Sequence, residues 1–147
     1  MIKQILVPVD FSAAACAAAR YAVEEIAPQL GAAVTFVTVL EVSDLRVAMS
    51  AGLHGFEDDE DVRQKVSAWI EAQFARIESP AGAVKATRDV RRGLPERELL
   101  EAIQEHAADL IVMGTQGITR RLPIGSKAQY VLKHTRVPVL LVRGEEE

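Results

Sequence analysis

The feature that most restricts the fold of this chain is a repeated change of period. Short runs that are aliphatic or β-branched at nearly every position alternate with longer segments whose apolar residues recur every three to four positions. The first kind of run suits a strand covered on both faces, and the second suits a helix with one buried stripe. Strands that alternate with helices are joined by right-handed crossovers, which produces a parallel sheet with helices on both faces. Residues 2–9 form the first strand run and end in Asp10-Phe11-Ser12. Cys16, Ala19, Val23, Ile26, Ala27 and Leu30 then keep helical spacing, with Ser12 placed to cap and Gly31 to stop a helix over residues 13–30. Residues 33–40 read as the second strand. The acidic run 58–61 marks the positive end of a helix carrying Val62, Val66, Trp69, Ile70, Gln73 and Ile77, closed by Ser79-Pro80. A third strand is expected over 84–91, and Gly93-Leu94-Pro95-Glu96 opens a helix bearing Leu99, Leu100, Ile103 and Ala107. Residues 109–113 and 137–143 read as the fourth and fifth strands, separated by a helix over 125–134. Residues 41–57 keep no clear period and read equally well as a functional loop or an unrecognised short element.

A chain of 147 residues with no linker and no internal repeat is expected to form one domain over 1–147. Its 49% hydrophobic and 26% charged residues are the balance of a globular protein. No apolar run is long enough to cross a bilayer, and Met1-Ile2-Lys3-Gln4 leads straight into a strand, so a cytoplasmic protein without membrane association is expected. The formal net charge of -4 and the Glu145-Glu146-Glu147 tail disfavour a nucleic-acid partner. Cys16, the lone cysteine, sits among alanines and reads as a core residue rather than a reactive thiol.

In an open parallel sheet the ligand crevice lies beyond the carboxyl ends of the two strands where the strand order reverses. Two loops look specialised for such a place: residues 7–12 after the first strand, and Gly114-Thr115-Gln116-Gly117, leading to Gly125-Ser126, after the fourth. Glycine at 114 and 117 permits positive φ and close approach of a ligand, and the helix opened by Gly125-Ser126 offers free N–H groups to an anion. The plainer reading is that these glycines only turn the chain and Ser126 only caps the helix. His54, His106 and His134 are scattered without ligand spacing, so neither a metal site nor a set of catalytic residues is expected. His106 and His134 sit near helix ends, where an imidazole suits the dipole, while His54 stays open.

Residues 5–12, Gly93-Leu94-Pro95, residues 108–117, Gly125-Ser126 and residues 137–143, taken in order, resemble the universal stress protein family over nearly the whole chain. The resemblance implies a five-stranded parallel sheet in the order 3-2-1-4-5 with helices on both faces, of the adenine nucleotide alpha hydrolase-like type. It implies ATP or a related adenine nucleotide as ligand, with Mg2+ an optional companion, and a stress-response sensor or regulatory module with at most slow ATP hydrolysis. By position, Pro8, Val9 and Asp10 would meet the adenine or ribose, and Val39 would line the base pocket. Met113, Gly114, Gln116 and Gly117 would pass along ribose and phosphates, while Gly125, Ser126 and Lys127 would hold the phosphates. In that strand order the fifth strand lies at an edge yet is apolar on both faces, which invites a homodimer through Val139, Leu140, Leu141 and Val142. One departure stands out: nucleotide-binding members carry nine residues between the second glycine and the Gly-Ser pair, and this chain has seven, residues 118–124. Arg120 and Arg121 in that loop read either as phosphate partners or as solvated charges, and Pro123 stiffens its exit. The alternative function is therefore a dimeric interaction module that binds no nucleotide.

Overall fold

Ile5, Leu6 and Val7 are buried in succession because β1 (Gln4–Pro8) is the central strand of the sheet. The structure is a computed structural model that describes residues 1–41, 60–77, 84–115 and 124–144, apart from the side chains of residues 60–63, 65 and 66. β1 pairs in parallel with β2 (Ala33–Leu40) on one side and β4 (Leu110–Gly114) on the other. β3 (Ala86–Arg92) adds outside β2, and β5 (Val139–Val142) adds outside β4. All four pairings are parallel and the order is β3-β2-β1-β4-β5, as the family resemblance implied. The strand order reverses between β1 and β4.

Strand side chains alternate between the two faces, so two apolar layers form. Ile5, Val7, Val34, Phe36 and Val112 pack with α1 (Ala13–Tyr21) and with Phe74 of α3 (Glu60–Ala75). Leu6, Val37, Ile111 and Met113 pack with Leu99, Ala102 and Ile103 of α4 (Pro95–Glu105) and Ala128 and Val131 of α5 (Ser126–His134). The four residues of β5 are half-buried, with Leu140 and Val142 against the first layer and Val139 and Leu141 against the second.

The helix expected over residues 13–30 is divided. Ser12 caps it, accepting from Ala15 N at 3.2 Å, but after Tyr21 the chain makes a π-helical turn over Ala22–Ile26 before α2 (Ala27–Leu30). Pro28 explains the change: it has no N–H for the Glu24 carbonyl and its ring would crowd that group. The wider turn, in which Ala27 N donates to Ala22 O, accommodates it. Gly31 ends the helix with φ +63, as the glycine promised.

Other boundaries shift by one or two residues. β5 begins after Pro138, which has no N–H to donate; Gly125 precedes its helix; and Ala107 lies past the end of α4 in a left-handed conformation, φ 49, rather than on its apolar face. Trp69, expected among the buried residues of its helix, is 51% exposed. Cys16 is buried as expected, and burial pushes its thiol pKa up against the smaller opposing effect of Arg76 and Arg20. Most of the aperiodic segment after Glu41, with His54, Asp58, Ser79-Pro80 and the acidic tail, lies outside the described residues.

Gly114 is needed for packing rather than for an unusual φ. A Cβ there would stand 2.8 Å from the Ala14 carbonyl carbon and 2.9 Å from its oxygen. Only glycine at the end of β4 lets the alanine-rich start of α1 lie this close to the sheet. At the opposite end of the strands Asp109 joins β1 to β4. Its Oδ2 accepts from Lys3 N at 2.9 Å and Gln4 N at 3.0 Å, and its own N–H donates to Gln4 O at 2.9 Å. These two hydrogen bonds to the charged form hold the Asp109 carboxyl below its usual pKa.

Gly114→Ala is expected to lower stability by about 1–3 kcal/mol through forced displacement of α1; an unchanged urea midpoint would refute the packing argument. Because the folded-state pKa of Asp109 is depressed, its contribution is complete above the ordinary carboxylate range and disappears as pH falls through the folded value. Asp109→Asn keeps an acceptor but cannot ionise, so its urea midpoint should fall less steeply than that of the wild type from about pH 5 to about pH 3.

Candidate functional site

The reversal of strand order leaves a crevice beyond β1 and β4, and local geometry directs polar groups into it. Val9 N donates to Val37 O at 2.8 Å, so the β1–β2 pairing continues to the edge of the opening. Asp10 then turns the chain: its Oδ1 accepts from Ser12 N at 3.0 Å and Ser12 Oγ at 2.5 Å. Asp10 therefore supports the helix cap, and it also faces the cavity. Phe11 between them has φ 61, a left-handed conformation that costs a residue with a Cβ about 1–2 kcal/mol. Its ring is held edge-on by Phe74 at 5.4 Å and Trp69 at 5.8 Å, which explains why the half-exposed tryptophan stays against the protein.

Across the crevice, Thr115 N donates to Val142 O at 3.1 Å, and Thr115 O accepts from Gly125 N at 2.6 Å. The second bond joins the two ends of the shortened connection. It sets the start of α5 against the end of β4. Gly125 is the N-cap, with extended backbone and no side-chain cap, and Ser126 is the first helical residue. The reading of Ser126 as a cap is thus corrected. Without a capping side chain, the first-turn N–H groups of α5 are left to face the opening.

These elements enclose a cavity of about 390 Å3, within the roughly 300–1,000 Å3 typical of small-molecule sites. Pro8, Val9, Asp10, Val39, Met113, Gly114, Gly125, Ser126 and Lys127 all line it. Gln116 and Gly117 lie outside the described residues, as do Arg120, Arg121 and Pro123. Sequence reading missed Ala15, Val37, Glu41, Pro95, Leu99, Thr115 and Ala128 in the wall. Thr115 and Glu41 could have been found, since each directly follows a strand or strand pair already assigned to the carboxyl end. Pro95 and Leu99 could not, because they enter through the packing of α4. Val9, Val37, Val39, Leu99 and Met113 make an apolar surface, while Asp10, Glu41, Thr115, Ser126 and Lys127 supply polar groups. Lys127 Nζ stands 3.4 Å from Glu41 Oε1.

The described histidines are elsewhere. His106 ends α4 with Nε2 2.7 Å from Asp89 Oδ2, and Arg91 Nε approaches the same oxygen at 2.9 Å. Burial alone would raise the Asp89 pKa, but the hydrogen bonds from His106 and Arg91 outweigh it and hold the carboxyl low. Arg91 also meets Glu98 at 3.6 Å and bonds Glu105, so this group fastens β3 to α4. His134 donates to the Tyr130 carbonyl at 2.9 Å and stacks on that ring at 4.1 Å. Among the described residues no three His, Cys, Asp or Glu side chains are grouped to hold a metal ion, and no helix is long and apolar enough to cross a membrane.

A parallel sheet covered on both faces, with a cavity at its switch point and a helix start beside it, defines an open α/β domain of the adenine nucleotide alpha hydrolase-like fold. The profile of the Universal stress protein family matches residues 1–143. Universal stress protein MJ0531 of Methanocaldococcus jannaschii is 31% identical over 147 residues, covering 97% of this chain and 83% of that protein. The structure of universal stress protein UspA from Lactobacillus plantarum aligns with a TM-score of 0.70 at 31% identity, over 97% of this chain and 98% of that one. A universal stress protein solved in complex with cAMP shares the fold at a TM-score of 0.67 and 22% identity, with 97% of each chain covered. The chain belongs to the universal stress protein family.

Ser12→Ala removes the helix cap and the hydroxyl that donates to Asp10, leaving the backbone N–H of residue 12 on that carboxylate. It is expected to cost about 1 kcal/mol, read as a lowered melting temperature, and an unaltered melting temperature would contradict the cap's role.

Proposed function

We propose that this chain binds ATP or a related adenine nucleotide in the crevice between β1 and β4, and acts as a dimeric cytoplasmic module that reports the nucleotide to partners during stress. The observation that carries this reading is the convergence of Asp10, Gly114 and the start of α5 on one cavity despite the short connection between Gly117 and Gly125. The apolar wall of Val9, Val37, Val39 and Met113 suits a base, and an Asp10 carboxylate oxygen suits ribose hydroxyls. The first-turn N–H groups of α5 and the Lys127 ammonium suit phosphate. Gln116 and Gly117 complete the phosphate end by position in the family pattern. The related protein solved with cAMP supports an adenine nucleotide as the ligand class. Mg2+ would enter with the phosphates of ATP, with Asp10 and Glu41 the carboxylates of the cavity wall. Among the described residues of the cavity wall no nucleophile is paired with a base, and binding is the role we assign.

Dimerisation is proposed through β5. Its residues Val139, Leu140, Leu141 and Val142 are apolar and only half-buried at a sheet edge, whereas the opposite edge strand carries Arg88, Asp89, Arg91 and Arg92. Charged edges resist pairing and apolar edges promote it. This surface would serve equally if no nucleotide were bound, which is the second reading.

ATP or AMP at about a hundred times its Kd should stabilise the protein by about 2.7 kcal/mol by mass action, seen as a raised melting temperature. Asp10→Ala and Gly117→Val are expected to reduce that rise. No rise with either nucleotide at millimolar concentration would leave the dimer module as the function, to be checked by sedimentation of the wild type against Leu140→Pro.

A further inference from the structure

Arg91 stands behind the apolar end of the cavity. In the parallel register Val37 lies beside Asp89 and Val39 beside Arg91, and side chains at registered positions leave a sheet on the same face. Val37 and Val39 line the cavity on that face, while Asp89 and Arg91 continue the surface to the sheet edge, beneath α4. α4 supplies a facing wall through Pro95 and Leu99. Its backbone groups bond within the helix, so side chains set how far it stands from the strands. At this edge those side chains are charged. Glu98, Glu101 and Glu105 follow one another along α4 at helical spacing, and like charges so placed repel. Arg91, 12% exposed, meets all three and Asp89 as well: Asp89 at 2.9 Å, Glu98 at 3.6 Å, Glu101 at 4.0 Å, and Glu105. Glu98 bears most directly on the cavity, because it directly precedes Leu99 and follows Pro95 by three residues. Its carboxylate also lies over Gly93, where a Cβ would stand 3.2 Å from Oε1, and Gly93 N donates to Leu40 O at 3.2 Å. The start of α4 is thus fastened to β2 through Gly93 and to β3 through Glu98 and Arg91.

We infer that Arg91 is a positioning residue for the ligand: by holding Glu98 it sets the distance of Pro95 and Leu99 from Val39, and so the width of the apolar end of the cavity. The inference rests on the nucleotide reading in naming adenine as the group that fills that end. Without the guanidinium, the glutamates of α4 and Asp89 of β3 repel across the edge. The helix start then moves away from the sheet and the base loses apolar contact, while β1 and β4 on the other side of the crevice keep their places.

Calorimetric titration of adenosine into the full chain tests this, at a temperature where melting curves show every variant folded. Adenosine is neutral, so salt acts on its binding through the protein. Arg91→Met should bind it roughly tenfold more weakly than the wild type does, and Arg91→Lys should recover part of the loss. Added salt should strengthen adenosine binding by Arg91→Met, because it screens the repulsion among the carboxylates. Glu98→Ala and Glu105→Ala each sever one link from Arg91 to α4, and Glu98→Ala should weaken binding more, whatever the order of their melting temperatures. That comparison decides the matter even if Arg91→Met does not fold, since a loss in Glu105→Ala equal to or larger than that in Glu98→Ala would overturn the inference. Wild-type affinity in Arg91→Met with a lowered melting temperature would also overturn it, because the cluster would then only stabilise the fold. So would salt that further weakens binding by Arg91→Met. Wild type that binds none of adenosine, AMP and ATP removes the nucleotide reading and this inference together, whereas wild-type binding that Arg91→Met retains in full removes the positioning role alone.

Discussion

The close contact of α1 with the end of β4 is the constraint on which the crevice depends. Gly114 leaves no Cβ between the sheet and Ala14, and the buried alanines of α1 let the rest of the helix follow the same line. Because α1 starts immediately after Asp10-Phe11-Ser12, fixing the helix also fixes the turn that carries Asp10. A larger residue at position 114 would push the helix outward and carry that carboxylate with it. The interior is dense enough that a shift of one methyl group is felt in this way.

The turn itself is strained and compensated locally. Phe11 is left-handed, which its Cβ opposes, but its ring lies edge-on to Phe74 and Trp69 while Asp10 and Ser12 bond on either side. Phe74 is in turn packed on Phe36 at 6.0 Å and covered by the Arg88 guanidinium at 4.8 Å. Backbone strain at the mouth of a cavity is thus held by packing from the opposite side of the same loop. The connection after β4 is treated differently: Thr115 O accepts from Gly125 N, which holds the start of α5 beside the end of β4, while Ala128 and Val131 seat the helix in the core.

The two sheet edges differ in charge, and that difference follows from what each must do. β3 binds α4 through Arg91, whose guanidinium is only 12% exposed and is matched by Asp89, Glu98 and Glu105. Burial would lower the Arg91 pKa, but the Asp89 and Glu105 carboxylates more than reverse it, so the charge stays in place at the edge. β5 has no comparable charged residues in its strand and gives half of each side chain to the core.

The strands were legible because strand burial and turn chemistry are written locally, and nine of the eleven residues that the family resemblance proposed for nucleotide contact fall in the described cavity wall. A run apolar at every position can sit only inside a sheet, and Ser12 and Gly31 punctuate a helix through their own backbones. The family pattern then supplied the order in which the strands lie. Tertiary structure alone decided that Gly114 makes room for Ala14, that Glu41 meets Lys127, that Trp69 lies at the surface against Phe11, and that His106 bonds Asp89. Pro28 marked a break in the helix, but the π-helical turn that absorbs it became visible only in the folded backbone. In each pair the partners come from separate elements, and their separation depends on how helices settle on the sheet, a distance that no local pattern of residues encodes.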